Sequence, residues 1–135
     1  MILKVKNISE IGGTVKAPPS KSYSHRAVIL ASLAKGKSKL YDMLYSEDTL
    51  SSIRVCEALG AQITKNGDCL EVIGTGGNLH NSSSEPIDLA NSGTTLRLMT
   101  SVAALSDNEV ILTGDDSLKT RPMGLLMGAL YSLGV

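Results

Sequence analysis

Ala17 to Gly36 reads APPSKSYSHRAVILASLAKG. Pro18 and Pro19 have fixed φ and no donor N–H, so they stop any strand before them and impose an extended approach. From Ser20 the pattern turns helical. Ala27, Leu30, Ala31 and Ala34 recur on one face, and Gly36 is predicted as the C-terminal stop. An extended segment, a proline break and a helix that opens on Ser-Lys-Ser give the element order of an α/β protein.

Working outward repeats that order. Upstream, Leu3 and Val5 alternate with lysines, which predicts a short strand. A turn at Gly12-Gly13 leads to a second from Thr14 to Ala17. Downstream, Ser38 to Leu44 is predicted as a strand. Ser46-Glu47-Asp48 opens a helix with its acidic pair at the positive end of the dipole, and Ile53, Cys56 and Leu59 share one face before Gly60. Gln62–Lys65 and Asp68–Ile73 flank Asn66-Gly67, a type I′ hairpin signature. Gly74 to Pro86 is a polar loop. Then the order begins again. Ile87–Leu89 is strand-like, Ser92–Leu105 helical and Val110–Thr113 a strand. A last helix is N-capped by Thr120, with Pro122 near its first position. Arg26 and Arg97, 71 residues apart, sit early in the first helix of each copy. Leu59-Gly60 and Leu133-Gly134, 74 apart, close the second. This is an internal repeat, although any two α/β units share such an order.

Composition narrows the class. The 135 residues suit one domain or part of a larger one. The apolar share of 42% holds no Trp or Phe and only four Tyr, so the core is aliphatic, as suits helices on a sheet. Thirteen basic and thirteen acidic residues cancel, which excludes the broad basic footprint of a nucleic-acid binder. Any anion site must be local. Cys56 and Cys69 make no disulfide framework and are expected as buried reduced thiols. The opening MILKVKN has no long apolar run, and no stretch approaches the roughly 20 apolar residues of a membrane span, so neither signal peptide nor membrane is expected. The cytoplasm is the default location.

Three helix starts carry a cation. Ser20, Lys21 and Ser22 lie where free backbone N–H groups and the dipole favour an anion. Arg26 follows Ser22 by four residues and projects from the same face. Hydroxyl, ammonium and guanidinium can converge there on one phosphate or carboxylate. The plainer alternative, a serine N-cap with two solvated cations, is favoured on spacing alone, since short motifs recur by chance. Asn91-Ser92-Gly93-Thr94 is a tight turn into a helix. Gly93 admits a ligand close to the backbone, and Arg97 lies four residues on. An ordinary N-cap explains these residues as well. Arg121, just before Pro122, offers a planar fork to a phosphate or carboxylate. A lone arginine is usually solvated. The set carries more weight, because the three places are equivalent under the repeat. His25 reads as a surface residue beside Arg26, and His80 falls in a polar loop. No metal set and no Ser/His/Asp or Cys/His constellation stands out.

Pro18 to Gly36 resembles the opening motif of EPSP synthases, a small residue after proline and then SKSxSxRAxxLASLAxG. Asn91, Gly93, Thr94 and Arg97 are similar to the family's second motif, and Arg121-Pro122-Met123-Gly124 to its third, in the family's order and spacing. The resemblance covers essentially the whole chain. It implies the enolpyruvyl transferase fold, whose lobes are inside-out α/β barrels of three strand–helix repeats each, here incomplete. Residues 1–14 would be a strand segment belonging with a missing C-terminal lobe. Residues 15–135 would give a partial N-terminal lobe of two units, 15–76 and 87–135. The implied reaction joins phosphoenolpyruvate to shikimate 3-phosphate, releasing phosphate, in the shikimate pathway to chorismate and the aromatic amino acids. It needs no metal or organic cofactor. Lys21 would contact both substrates. Ser22 and Arg26 would hold shikimate 3-phosphate, while Gly93 and Arg121, with Asn91 in support, would hold phosphoenolpyruvate. Glu47-Asp48 would be structural. The acid–base groups lie in the family's later sequence, so no catalytic residue is expected within this chain and the chain alone is expected to be inactive. Two positions depart from the family: Pro19 stands where glycine is common, and Leu98 where proline is frequent. The alternative is a stand-alone phosphate-binding or regulatory module. The related transferase acting on a nucleotide sugar is disfavoured, because SKSYSHR differs from its residues there.

Overall fold

The computed structural model describes residues 2–81 and 83–135. Residues 2–20 form no regular element, so the strands predicted around Leu3–Val5 and Thr14–Ala17 are not made. A strand needs a neighbour for its backbone groups, and this segment pairs with none of the described strands. Its apolar side chains, Ile2, Leu3, Val5, Ile8, Ile11 and Val15, are all exposed.

The first helix, α1, runs Lys21–Leu33. Ser20 caps it, accepting the Tyr23 N–H at 3.4 Å. Its buried arc is Ser24, His25, Val28, Ile29, Ala31 and Ser32, so the predicted alanine–leucine stripe is corrected: Leu30 is 65% exposed. The reason is that α1 is covered on two flanks, by α2 and by a sheet, which widens the arc into polar positions. Those polar groups are satisfied locally. Ser24 Oγ donates to the Ser20 carbonyl and accepts the Leu44 N–H, both at 2.9 Å, and Ser32 Oγ donates to the Val28 carbonyl at 2.8 Å. Ala34, in extended conformation, ends the helix; Gly36, predicted as the stop, lies inside β1 (Lys35–Tyr41).

Helix α2 (Glu47–Ala58) starts in a capping box between Ser46 and Thr49, with Glu47 and Asp48 in its first turn as the sequence predicts. Strands β2 (Gln62–Asn66) and β3 (Cys69–Thr75) follow, and the antiparallel sheet has the order β1-β3-β2. Asn66 pairs with Cys69, so the turn residues are Gly67-Asp68 rather than Asn66-Gly67. Only Gly67 of the two has positive φ (59°), which is the type II′ requirement. One sheet face packs Leu40, Ile63, Leu70 and Val72 into the core; on the other, Lys37 and Lys39 pair with Glu71 at 2.8 and 3.5 Å.

The second half is thinner. Strands β4 (Ile87–Asp88) and β5 (Leu112–Thr113) pair in parallel, joined through α3 (Gly93–Ala103). The predicted last helix starts later than expected, as α5 (Gly124–Ser132), and a short helix that the sequence reading did not predict, α4 (Asp116–Lys119), precedes it. Thr120 is the C-cap of α4, not an N-cap, and α5 starts at Met123 without a side-chain cap. Proline at 122 disfavours helical geometry at Arg121 and so forces the break, while Asp115 caps α4 by accepting the Leu118 N–H at 2.7 Å. Helices α2 and α5 end alike. Gly60 and Gly134 take positive φ, and the Ala61 and Val135 N–H groups reach back to Cys56 and Leu130 in Schellman closures.

The core gathers Val28 and Ile29 of α1, Val55, Cys56 and Leu59 of α2, Leu70 and Val72 of β3, and Met99 of α3. Burial pushes the Cys56 thiol up to about 11, so it is a protonated packing group. Cys69, expected to be buried, is half-buried in β3 and is a free thiol. No helix among the described residues is long and apolar enough to cross a membrane.

Candidate functional site

The N-termini of α1, α2 and α3 open onto one cleft of about 1090 Å³. Lys21 enters it from α1, Glu47 and Asp48 from α2, and Gly93 and Thr94 from α3. Asn91, Asp115, Lys119 and Arg121 close the far side. Free N–H groups and dipoles at helix starts favour an anion there.

Lys21 and Arg121 are each held by a specific partner. Lys21 Nζ forms an ion pair with Asp48. Partial burial pushes the Asp48 carboxyl up, but the bond and charge of Lys21 outweigh it and hold the group below its ordinary value. Arg121 Nη2 donates to Asn91 Oδ1, and Asn91 Nδ2 donates to Asp115 Oδ2 at 2.8 Å. Asp115 is held low chiefly by the Leu118 N–H; desolvation opposes this, and Asn91 and Arg121 reinforce it. Asn91 therefore works as a strut, aiming the guanidinium across Gly93. A Cβ at Gly93 would run into that guanidinium, with Arg121 Cδ at 3.3 Å. Ala90, which also lines the cleft, holds φ 51°, pinned by the Asp88 carboxylate on its N–H at 2.8 Å and by the Asp115 N–H on its carbonyl at 2.9 Å.

Lys21, Asn91, Gly93 and Arg121 are thus brought together. Ser22 and Arg26 sit outside the cleft lining, on the exposed side of α1. Arg26 donates to the Ser22 carbonyl at 3.2 Å and to Ser22 Oγ at 3.3 Å, and stacks on Tyr23 with its guanidinium 4.9 Å from the ring centre. Arg97 is occupied in bracing the turn, donating to the Pro122 carbonyl at 2.9 Å. Asp115 and Lys119 are cleft residues that sequence reasoning did not single out, and Asp48, expected with Glu47 to be structural, lies in the cleft paired with Lys21. Asp115 carried a signal, an acidic N-cap three residues before Leu118. The Lys21–Asp48 pair joins two helices and leaves no local trace.

His25, expected at the surface, is only 1% exposed. Its signal was present in the spacing His25, Val28, Ile29, Ser32, which is one helical face. Its Nδ1 lies 2.8 Å from Ser52 Oγ, and Nε2 has no partner. Burial lowers its pKa from the ordinary 6.5; Asp48 opposes this and Lys21 adds to it. The sign follows: below 6.5 the unfolded chain takes up a proton that the folded chain refuses, so stability is lost as pH falls from 6.5 through the folded value. Urea-unfolding midpoints measured between about pH 7.5 and 5.5 should fall for the wild type and change less for His25→Asn. Equal slopes would show that the imidazole is not buried neutral.

The chain matches the family model of EPSP synthase (3-phosphoshikimate 1-carboxyvinyltransferase) over residues 5–135. It is 76% identical to the 3-phosphoshikimate 1-carboxyvinyltransferase of Methanobrevibacter smithii, and the match covers all of this chain and 31% of the relative. The corresponding protein of Methanothermobacter thermautotrophicus is 56% identical, again over the whole chain and 32% of its own length. The chain therefore spans about a third of the length of these curated relatives. Among solved structures, EPSP synthase from Acinetobacter baumannii superposes with a TM-score of 0.84 at 27% identity, covering 91% of this chain and 28% of that one. The repeated helix starts, the Lys21–Arg121 cleft and a family match over nearly every residue agree, and the chain belongs to the EPSP synthase family.

Proposed function

We propose that this chain forms part of a cytoplasmic enolpyruvyl transferase that joins phosphoenolpyruvate to shikimate 3-phosphate, giving EPSP and phosphate. The observation that carries the reading is the meeting of Lys21 and Arg121, from opposite ends of the chain, across one cleft at three helix starts. Lys21 contacts both substrates. Arg121, over Gly93 and steadied by Asn91, takes the phosphoenolpyruvate phosphate. Ser22 and Arg26, next along α1, take shikimate 3-phosphate. Electrostatic clamping of two polyanions at a shared lysine brings the attacking hydroxyl to the acceptor carbon. Proton transfer and the hold on the phosphoenolpyruvate carboxylate come from the rest of the enzyme, so the chain alone binds without turnover. The exposed apolar side chains of residues 2–15 support assigning residues 1–14 to the other lobe, with 15–76 and 87–135 as two units of this one.

Titration of the chain with shikimate 3-phosphate, by calorimetry or amide NMR, tests this. Binding is expected to be weak, to fall as salt rises, and to shift amides near Lys21 and Gly93. Arg26→Ala should weaken it more than Lys65→Ala, since Lys65 lies over the Tyr45 ring at 4.2 Å on the hairpin side. With both substrates present no phosphate should be released. Equal behaviour of the two variants, or silent amides, would sink the clamp.

A further inference from the structure

Behind the helix starts that line the cleft runs a buried chain of hydroxyls. Ser52 Oγ lies 2.9 Å from Thr95 Oγ1, which lies 2.7 Å from Ser92 Oγ and 3.1 Å from the Asp48 carbonyl. His25 Nδ1 continues the chain beyond Ser52 at 2.8 Å. Ser52, Ser92 and Thr95 have no exposed surface. These four residues come from α1, α2 and α3 and its cap, the same three helices whose first turns line the cleft.

We propose that His25, Ser52, Thr95 and Ser92 act as positioning residues, a relay that sets the Asp48–Lys21 pair relative to the start of α3. The inference deepens the proposed function and rests on it for the identity of the anion.

Proton counting gives the relay a direction. The Asp48 carbonyl can only accept, so the single Thr95 hydroxyl proton goes to it. Thr95 Oγ1 then accepts from Ser52, and the Ser92 hydroxyl is shared between Thr95 Oγ1 and the Asp48 carboxylate, which it helps to hold low. Ser52 has donated its own proton and must accept from His25, which places the imidazole proton on Nδ1. Ser92 Oγ accepts the Thr95 N–H at 3.2 Å. Each hydroxyl donates once, and what is left over is the bare lone pair at His25 Nε2. The other tautomer would strand a buried N–H donor instead, which is the rarer defect.

Packing alone does not ask for this. Serine is a poorer helix former than alanine, and buried polar groups cost free energy unless they are fully bonded. A completely bonded network does fix spacing, because its bonds are directional where apolar contacts slide. Thr95 bonds to the carbonyl of Asp48 itself, so a shift of α3 is passed to the carboxylate that holds Lys21.

The test uses Thr95→Val, which keeps the shape and removes the hydroxyl, and Thr95→Ser, which restores it. In the ligand-free chain, carbon-13 NMR should show the Asp48 carboxyl titrating closer to its ordinary value in Thr95→Val and returning in Thr95→Ser. Shikimate 3-phosphate should bind Thr95→Val about tenfold more weakly, as loss of one such bond implies. Should Thr95→Val fail to fold, Ser52→Ala cuts the relay on one side only and should move the Asp48 titration the same way. A purely structural role would lower the unfolding midpoint and leave the Asp48 titration of the folded chain where it was, and that result overturns the relay. A wild type that binds no shikimate 3-phosphate would instead overturn the proposed function, while the Asp48 titration still decides the relay.

Discussion

Gly74→Ala is expected to destabilise the chain by about 3 kcal/mol, at the top of the range for overpacking a filled core. Gly74 sits in β3 opposite Gly36 and faces the last turn of α1. A Cβ there would collide with the carbonyl oxygens of both Ala31 and Ala34. Both are backbone atoms, so no rotamer change relieves the clash; the sheet must lift from the helix or α1 must lose its end. Gly93→Ala provides the contrast, since its Cβ meets the tip of the flexible Arg121 side chain. Urea melts should show a large loss for Gly74→Ala and a small one for Gly93→Ala. Matching midpoints for wild type and Gly74→Ala would show that β3 does not approach α1 this closely.

The second large effect is expected at the cleft. Lys21→Met keeps most of the side-chain length and removes the charge. A charge-assisted contact contributes roughly 1.5–3 kcal/mol, so shikimate 3-phosphate should bind on the order of 10- to 150-fold more weakly. The same change leaves Asp48 without its partner, and its carboxyl should titrate higher, since the Lys21 bond and charge are what override burial there. Calorimetry gives the first number and carbon-13 NMR the second. Unaltered affinity in Lys21→Met would remove this residue from the clamp, and an unmoved Asp48 would show that the ion pair is absent in solution.

Much of this architecture could be read from residues 17–36 and 91–97. Serine caps, a proline break and a glycine turn act within a few residues, and so the starts of α1, α2 and α3 were legible. So were Lys21 and Gly93, because a cation or a glycine at a helix start is a local pattern. Arg121 reads as a third helix start, but it stands between α4 and α5 and is held at the cleft by Asn91. What was not legible depends on partners distant in sequence. Leu3 and Val5 alternate as a strand should, but alternation supplies no neighbour. Asn66-Gly67 is a strong turn signal, yet the pairing of Asn66 with Cys69 moved the turn by one residue. Thr120 has the chemistry of an N-cap, but Asp115 starts a helix first and Pro122 breaks it. His25 looked like a surface residue because histidine usually tolerates water; its place on the Val28–Ile29 face said otherwise.

The thinness of the second half has a consequence for how the cleft behaves in time. Helix α5 has no buried residue, Leu125 is 97% exposed, and the β4–β5 pair is two residues long. Segments with so little buried contact open at low free energy, well below global unfolding, so amides beyond residue 105 should exchange with solvent far sooner than those of α2 and β3. Arg121 belongs to this labile end, whereas Lys21 is rooted in the well-packed first half. In the proposed clamp, then, one jaw is expected to be firm and the other to come and go. The affinity of the open-and-shut ensemble is the intrinsic one reduced by the shut fraction. If the proposed clamp holds, any surface that settles over α5 is expected to tighten anion binding from a distance, without touching the anion.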